Sequence, residues 1–226
     1  MILIFDLDDT LYDESQFVHG GLEAVAAYGA EQWGWNASTS LETLRAVLDS
    51  EGRGKVFDRW LEGRDAWSRG RVRDCVRVYR NHRPDIELFP AGRRMIERYR
   101  PRGPLYLVTD GHKIVQRNKV DSLGLWQEFQ RVFITHRFGV AAAKPSTYCF
   151  ERIRAEAGCD WSEMVYVGDN PTKDFVNLNP LGALTIRVLT GVHRAVPALP
   201  GYDAVSTIAD LDALPEALAS RFPQAA

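Results

Sequence analysis

The first thirteen residues, Met1 to Asp13, read MILIFDLDDTLYD, and the architecture of the chain follows from them. The apolar run Ile2 to Phe5 leads directly into acids and a hydroxyl, a pattern typical of a buried parallel strand that stops at a loop. Asp6 and Asp8 are two positions apart, so an extended backbone points both carboxylates to one side. Such close like charges repel unless a cation, a proton or a chemical role offsets them. The alternative is that these acids only form a solvated turn.

The composition is that of an ordinary globular protein and excludes several classes. Of 226 residues, 45% are hydrophobic and 26% are charged, and the formal net charge of -2 provides no basic field for nucleic acid or an anionic membrane. The apolar runs are too short to span a membrane, and the amino terminus does not resemble a signal peptide. Three cysteines, Cys75, Cys149 and Cys159, without CxxC spacing predict reduced thiols in a cytoplasmic protein. We expect a monomer or homodimer with no nucleic-acid or membrane partner.

The rest of the chain divides into two parts with different patterns. Over residues 14–87 the apolar residues recur at helical spacing without a strand pattern, and Ser40 is the candidate N-cap of a helix that begins at Leu41. From residue 88 onward strands and helices alternate, which implies parallel pairing with right-handed crossovers. We therefore predict an α/β fold in which residues 1–13 and 88–226 form a doubly wound, Rossmann-like parallel sheet and residues 14–87 form an all-α insert.

The later core elements follow from the same patterns. Helices are expected at residues 173–181 and 208–221, among others. The strands expected after the first are Leu105–Thr109, Val132–Thr135, Met164–Val167, Leu184–Val188 and a short edge strand at Asp203–Ser206. Because open α/β sheets bind ligands at the carboxyl ends of their strands, the polar residues that follow each strand are the candidates for function.

Polar groups gather at this predicted edge of the sheet. They are Asp6, Asp8, Thr109, Asp110, Gly111, Lys144, Asp169 and Asp174. A turn, a solvated charge or a helix N-cap explains each one alone, but these residues come from four separate places in the chain, and four such places at one edge are poorly explained by accident. Several carboxylates without histidine or cysteine suit a hard cation such as Mg²⁺, while Thr109 and Lys144 supply a hydroxyl and a positive charge for an anion. A metal and a lysine around a carboxylate nucleophile are what phosphoryl transfer requires.

Four motifs carry a family resemblance. DLDDT, a threonine at a strand end, Lys-Pro and GDNPTKD occur in the order of the motifs of the haloacid dehalogenase-like superfamily of hydrolases, and the insert resembles that family's type I helical cap. The resemblance implies that Asp6 is the nucleophile, which forms an aspartyl-phosphate, and that Asp8 is the general acid and then the base. It implies that Thr109 and Lys144 hold the phosphoryl group.

The resemblance also implies how the remaining polar residues contribute. Asp110 and Gly111 belong to the substrate-binding loop, where Asp110 uses its backbone N–H and turns its carboxylate away from the phosphate. A Mg²⁺ cofactor would be held by Asp6, the backbone carbonyl of Asp8, and Asp169. Asp174 would bind the metal through water or orient Lys144, and both alternatives stay open.

Asp8 also separates the branches of the family. Members that break carbon–halogen bonds lack an aspartate two residues after the nucleophile, because no leaving oxygen needs a proton. The prediction is therefore a Mg²⁺-dependent phosphomonoester hydrolase acting on a small phosphorylated metabolite, a nucleotide monophosphate or a sugar phosphate. The alternatives are a 2-haloacid dehalogenase or a phosphomutase of the same superfamily. A receiver-like phospho-acceptor module of signalling proteins is disfavoured by the length of the chain and by the insert.

The insert is expected to select the substrate. Its second half is rich in arginine, and Arg69, Arg73, Arg77 and Arg80 fall on one helical stripe beside the apolar face. Most of these arginines are expected to form a solvated face, and most of the tryptophans to form the core of the insert.

Overall fold

The core is a six-stranded, all-parallel sheet in the computed structural model, which describes residues 1–223. Its strands are β1 (Ile2–Phe5), β2 (Leu105–Thr109), β3 (Arg131–Ile134), β4 (Met164–Gly168), β5 (Leu184–Val188) and β6 (Ser206–Ile208). Their order across the sheet is β3-β2-β1-β4-β5-β6. The order reverses between β1 and β4, and such sheets bind ligands in the crevice at this point. The predicted doubly wound α/β fold is confirmed.

The helices fall into two groups along the chain. The first group is α1 (Glu14–Trp33), α2 (Ala37–Glu51), α3 (Val56–Glu62) and α4 (Arg69–Asn81). The second is α5 (Pro90–Tyr99), α6 (Lys113–Ser122), α7 (Tyr148–Ala157) and α8 (Leu214–Ala219). The chain separates into two compact units, one made of Met1–Glu14 and the chain from Ile86 onward, the other of Ser15–Asp85. Within the described residues, no helix has both the length and the apolar character that crossing a membrane requires.

Strand β1 lies at the centre of the sheet because every one of its residues is apolar and buried. Leu3 pairs with Leu105 on β2 and with Val165 on β4. Ile4 packs with Phe150 of α7 on one face of the sheet. Burying a side chain of this kind stabilises the fold by about 1.5–3 kcal/mol. This packing fixes where β1 ends, and therefore where Asp6 begins the polar edge.

The helical unit has its own core. Trp60 is fully buried and packs in a cluster with Leu22, Leu44 and Cys75. The guanidinium of Arg64 lies 5.3 Å from the ring centre of Trp60, a cation–π contact. The four arginines of the predicted stripe are exposed: Arg69, Arg73, Arg77 and Arg80. Three cysteines, Cys75, Cys149 and Cys159, are free of disulfides.

The start of α2 differs from the expectation. The helix begins at Ala37, four residues before Leu41, and Asn36 is its N-cap. The side-chain oxygen of Asn36 accepts a hydrogen bond of 2.9 Å from the backbone N–H of Thr39. Ser40 is therefore inside the first turn and is not the cap, because Asn36 satisfies the free N–H groups earlier.

The expectation of a helix at residues 173–181 is also wrong. This segment forms turns and a single 3-10 turn at Asn179–Leu181. Two side chains of the segment donate hydrogen bonds to backbone carbonyl groups far away in the sequence. Asn177 Nδ2 donates to the Pro145 carbonyl at 2.9 Å, and Asn179 Nδ2 donates to the Asp203 carbonyl at 2.7 Å. Asparagine side chains used in this way compete with a helical backbone.

The carboxyl-terminal elements start later than expected. The edge strand β6 is Ser206–Ile208, not residues 203–206, and it occupies the first position of the helix expected at 208–221. The Asp210 carboxylate accepts a hydrogen bond of 2.9 Å from Asp212 N, which begins a 3-10 turn, so α8 covers only Leu214–Ala219. Residues 224–226, the last of the predicted core, lie outside the described part.

Candidate active site

Asp6 and Lys144 form a buried ion pair at the end of β1. Lys144 Nζ lies 2.9 Å from Asp6 Oδ1 and 2.8 Å from Asp174 Oδ1. It also donates to the hydroxyl of Tyr166 at 2.8 Å. Burial lowers the pKa of Lys144, but the charges of Asp174 and Asp6 outweigh it and hold that pKa well above its ordinary value. Lys144 is therefore a fixed cation at the centre of the polar edge.

Asp6, Asp169 and Asp174 form a cluster of buried carboxylates. Each offers one oxygen, and these oxygens lie within 4.8 Å of one another. Burial raises the pKa of Asp6 to about 7, with Lys144 acting against the rise and Asp174 adding to it. Burial, followed by the charge of Asp6, raises the pKa of Asp169 to about 9. One lysine does not balance three carboxylates, and a set of oxygen donors of this kind fits Mg²⁺.

Asp174 is tied to the protein at both oxygens. Oδ1 faces Lys144, and Oδ2 accepts a hydrogen bond of 2.9 Å from the backbone N–H of Asn170. Gly168 allows this approach, because a Cβ at that position would lie 2.6 Å from Asp174 Oδ2. This geometry fits a residue that orients Lys144, one of the two alternatives that the family resemblance left open.

The loop after β2 brings a buried hydroxyl to the same edge. Thr109 is the last residue of β2 and is fully buried. The Asp110 carboxylate accepts hydrogen bonds from Thr135 Oγ1 at 2.8 Å and from the Lys144 backbone N–H at 3.1 Å, and it pairs with Lys173 Nζ at 2.9 Å. Burial raises the pKa of Asp110, but Lys144 and Lys173 outweigh it and lower that pKa. Its carboxylate is thus occupied by protein donors, as expected for a residue that offers only its backbone N–H.

Asp8 has partners of its own outside the three-carboxylate cluster. Its Oδ1 receives hydrogen bonds from the hydroxyl of Tyr12 at 2.7 Å and from Lys119 Nζ at 2.6 Å. Its Oδ2 receives one from Gln116 Nε2 at 2.6 Å. Burial raises the pKa of Asp8, but the charge and hydrogen bond of Lys119, together with the hydrogen bonds from Tyr12 and Gln116, outweigh burial and lower that pKa. Asp6 and Asp8 therefore lie in different surroundings.

Asp9 has a structural position. Its φ is +54°, in the left-handed region. Its carboxylate accepts hydrogen bonds from the backbone N–H of Glu14 at 3.0 Å and of Val192 at 3.1 Å, and its carbonyl accepts one from the Thr190 hydroxyl. Asp9 thus ties the start of α1 to the loop after β5.

Gln116 and Lys119 were not predicted from the sequence. They share the i, i+3, i+4, i+7 spacing with Val120 and Leu123, which marks the buried face of α6. The presence of a lysine and a glutamine on a buried helical face is the signal that could have identified these two residues. Tyr166 gave a weaker signal, a single hydroxyl within the apolar strand β4.

Family models match most of the chain. A model described as haloacid dehalogenase-like hydrolase matches residues 1–175, and a second, described as HAD-hydrolase-like, matches residues 141–214. The chain belongs to the haloacid dehalogenase-like hydrolases. The motifs DLDDT and GDNPTKD both lie within the first match, so the family resemblance in the sequence is confirmed.

Named relatives of this hydrolase include two phosphatases. It is 28% identical to a glyceraldehyde 3-phosphate phosphatase of Methanocaldococcus jannaschii over 85% of this chain and 86% of that protein. It is also 28% identical to a phosphoserine phosphatase of Thermus thermophilus, over 79% of this chain and 68% of that protein.

Solved structures have the same fold. A 2-haloacid dehalogenase from Pseudomonas syringae matches with a TM-score of 0.65 at 25% identity, covering 97% of this chain and 98% of the other. A hydrolase of the superfamily from Geobacter sulfurreducens matches with a TM-score of 0.69 at 17% identity, covering 96% and 95%.

Proposed function

We propose that this hydrolase removes the phosphoryl group from a small phosphate monoester through an aspartyl-phosphate on Asp6, with Mg²⁺ as cofactor. The observation that carries the proposal is that Asp6 and Asp8 lie in different surroundings. Asp6 lies in a buried cluster with two carboxylates and Lys144, whereas Asp8 lies among hydrogen-bond donors outside it. Asp6, in the carboxylate cluster beside Lys144, is thus placed as the nucleophile, and Asp8, outside that cluster with Lys119 beside it, as the residue that exchanges a proton with the leaving group and with water.

The reaction has two halves that use the same residues. In the first, a carboxylate oxygen of Asp6 bonds to phosphorus, the bond from phosphorus to the ester oxygen breaks, and Asp8 gives a proton to the leaving alcohol. In the second, a water oxygen bonds to phosphorus, Asp8 takes a proton from that water, and the bond between phosphorus and Asp6 breaks. Thr109, Lys144 and the backbone N–H groups of Asp110 and Gly111 hold the phosphoryl oxygens throughout.

A Mg²⁺ ion would be held by Asp6, Asp169 and the backbone carbonyl of Asp8. It would supply charge neutralisation for a phosphate next to three carboxylates. Asp174 serves in this proposal as the residue that orients Lys144, which is supported by their distance of 2.8 Å.

The substrate class is supported by the relatives and by Asp8. Glyceraldehyde 3-phosphate and phosphoserine, which the relatives' names contain, are both phosphate esters of a primary alcohol on a three-carbon skeleton. An alkoxide leaves poorly without a proton, so a general acid at Asp8 suits such esters. We propose small alkyl phosphates of this kind as first candidates, with sugar phosphates and nucleotide monophosphates as the next classes.

The test is a panel of phosphate esters from these classes, assayed for phosphate release with Mg²⁺ and with a chelator, on the wild type and on Asp6→Asn. We expect Mg²⁺-dependent release by the wild type and none by Asp6→Asn. Release that survives in Asp6→Asn would contradict the assignment of the nucleophile, and no release from any ester would contradict the phosphatase proposal. Halide release from a 2-haloacid would favour the dehalogenase alternative. Transfer of the phosphoryl group to a second sugar hydroxyl would favour the phosphomutase alternative.

A further inference from the structure

Three donors enclose the carboxylate of Asp8, and we call Tyr12, Gln116 and Lys119 the Asp8 clamp. The tyrosine hydroxyl and the lysine ammonium lie 2.7 Å and 2.6 Å from Oδ1, and the glutamine amide lies 2.6 Å from Oδ2. A carboxylate has about four positions at which it accepts hydrogen bonds. The clamp uses three of them, which leaves one acceptor position on Oδ2 for a proton exchanged with substrate or water.

Lys119 is more deeply buried than its charge alone would favour. Its side chain is 2% exposed, and its ammonium group bridges Asp8 Oδ1 at 2.6 Å and Glu14 Oε1 at 3.0 Å. Replacing a buried ion pair by apolar side chains of similar volume is often neutral or stabilising. An apolar set of similar volume would therefore be about as stable as the three charged groups together, so stability alone does not explain the set, whereas fixing the direction of the Asp8 carboxylate does.

Gln116 joins Asp8 to the loop that is predicted to bind phosphate. Its Nε2 group lies 2.8 Å from Thr109 Oγ1 and also contacts the carbonyl of Asp110. A Cβ at Gly111 would lie 3.2 Å from the same amide, so glycine at that position leaves room for it. One amide group thus holds Asp8 Oδ2 next to the hydroxyl of Thr109.

We propose that the residues of the Asp8 clamp are positioning residues, which hold the free acceptor position of Asp8 toward the leaving oxygen and then toward the attacking water. This inference rests on the proposed function. The proton moves from Asp8 to the ester oxygen as the P–O bond breaks, and a water proton returns to Asp8 as the new P–O bond forms. The clamp residues themselves exchange no proton with substrate.

The test compares two esters, the alkyl phosphate that the wild type hydrolyses fastest and p-nitrophenyl phosphate, on Lys119→Met and Tyr12→Phe. For the alkyl ester, we expect kcat to fall about 10- to 100-fold in Lys119→Met, a part of the 10²–10⁴-fold that general acid–base catalysis contributes. We expect about a 10-fold fall in Tyr12→Phe, which loses one hydrogen bond to a charged group. KM stays close to the wild-type value, because Thr109 and Lys144 remain.

The nitrophenyl ester separates positioning from general damage. Nitrophenolate leaves without a proton, so both variants should release nitrophenol in the first turnover at a nearly normal rate. Later turnovers should be slow, because water attack still needs Asp8. The matched control is Arg117→Met, which removes an exposed cation from the same helix and should leave both rates unchanged.

Four outcomes would overturn the inference. They are an equal loss on both esters in the first turnover, a loss confined to KM, an unchanged kcat, and a raised kcat, which would mean that the clamp keeps Asp8 away from substrate. Circular dichroism checks folding, and if Lys119→Met does not fold, Tyr12→Phe decides, since it removes a single oxygen. A wild type without Mg²⁺-dependent release on either ester contradicts both this inference and the proposed function, whereas an active wild type with unaffected variants contradicts the clamp alone.

Discussion

The ammonium group of Lys144 lies 2.9 Å from a carboxylate oxygen of Asp6, and both side chains are almost completely buried. The same ammonium group is 2.8 Å from Asp174, so one cation holds two carboxylates together at the switch point of the sheet. Because the pair is out of water, the cost of removing one partner is large.

Lys144→Met should destabilise the metal-free protein by about 3–5 kcal/mol, because it leaves Asp6 and Asp174 buried without their cation. Urea unfolding in a chelator measures this loss. Lys113→Met is the matched control, since Lys113 is exposed on α6, and a surface change of this kind is expected to stay within about 0.5 kcal/mol. Equal unfolding midpoints for the two variants would contradict the account of the ion pair.

Mg²⁺ should stabilise the folded protein through the three-carboxylate cluster. At a concentration 100 times Kd, binding adds about 2.7 kcal/mol, which for a chain of this size raises Tm by about 5–10 °C. Asp169→Asn should lose most of this shift, whereas Asp121→Asn, which changes an exposed acid on α6, should keep it. A full shift in Asp169→Asn would show that the metal binds elsewhere.

The stability of the metal-free protein should fall as the pH rises from 7 to 9. Burial and the charge of Asp6 raise the pKa of Asp169 from 3.8 to about 9. The folded chain therefore holds a proton that the unfolded chain has already lost, and this contribution to stability is lost as pH approaches 9. Burial lowers the pKa of His193, which makes stability rise with pH. This opposite effect is confined to pH values around and below 6.5, the ordinary pKa of histidine.

Thermal melts in a chelator at pH 7, 8 and 9 measure this slope. Asp169→Asn should melt with a smaller dependence on pH, and Mg²⁺ should flatten the wild-type slope, because the bound ion replaces the proton. A wild-type Tm that rises over this range, or an unchanged slope in Asp169→Asn, would count against the assignment.

Gly191→Ala should destabilise the fold through Asp9. The φ of Gly191 is +62°, and a Cβ there would lie 2.0 Å from the carboxyl carbon of Asp9. Left-handed strain and overlap together should cost about 2–4 kcal/mol in urea unfolding. Gly201→Ala is the control, because its φ is +80° but nothing lies within 4 Å of the added Cβ, so only the strain of about 1 kcal/mol applies. Equal losses would contradict a packing role for the contact between Gly191 and Asp9.

The sheet was predictable because its information is local. Ile2–Phe5 is apolar throughout, and acids follow it at once, so one short stretch specifies both a buried strand and a polar edge. The residue types of Asp6, Asp8 and Asp169, and their order relative to the strands, then placed them at this edge. Asn177 and Asn179 show the limit of such reasoning, since their bonds to Pro145 and Asp203 are long-range and replace the helix that local spacing favours.

The Asp8 clamp was not predicted because its partners are far apart in sequence. Lys119 lies 111 positions from Asp8, and Gln116 lies 108 positions from it. A helical period shows that these side chains face inward, but only the fold, which brings them to the loop after β1, shows which carboxylate they meet. Polar residues on a buried helical face therefore predict a hydrogen-bonded partner without naming it.

Chemical trapping of a phosphoryl group on Asp6 is the decisive experiment for the aspartyl-phosphate. The wild type, mixed with Mg²⁺ and the best ester of the panel, is quenched within one turnover and treated with borohydride, which reduces an acyl phosphate to an alcohol. Mass spectrometry of the amino-terminal peptide then locates the reduced carboxylate. We expect reduction at Asp6, and only when ester and Mg²⁺ are both present. Reduction at another acid, or no reduction in an enzyme that is turning over, would show that Asp6 is not the nucleophile.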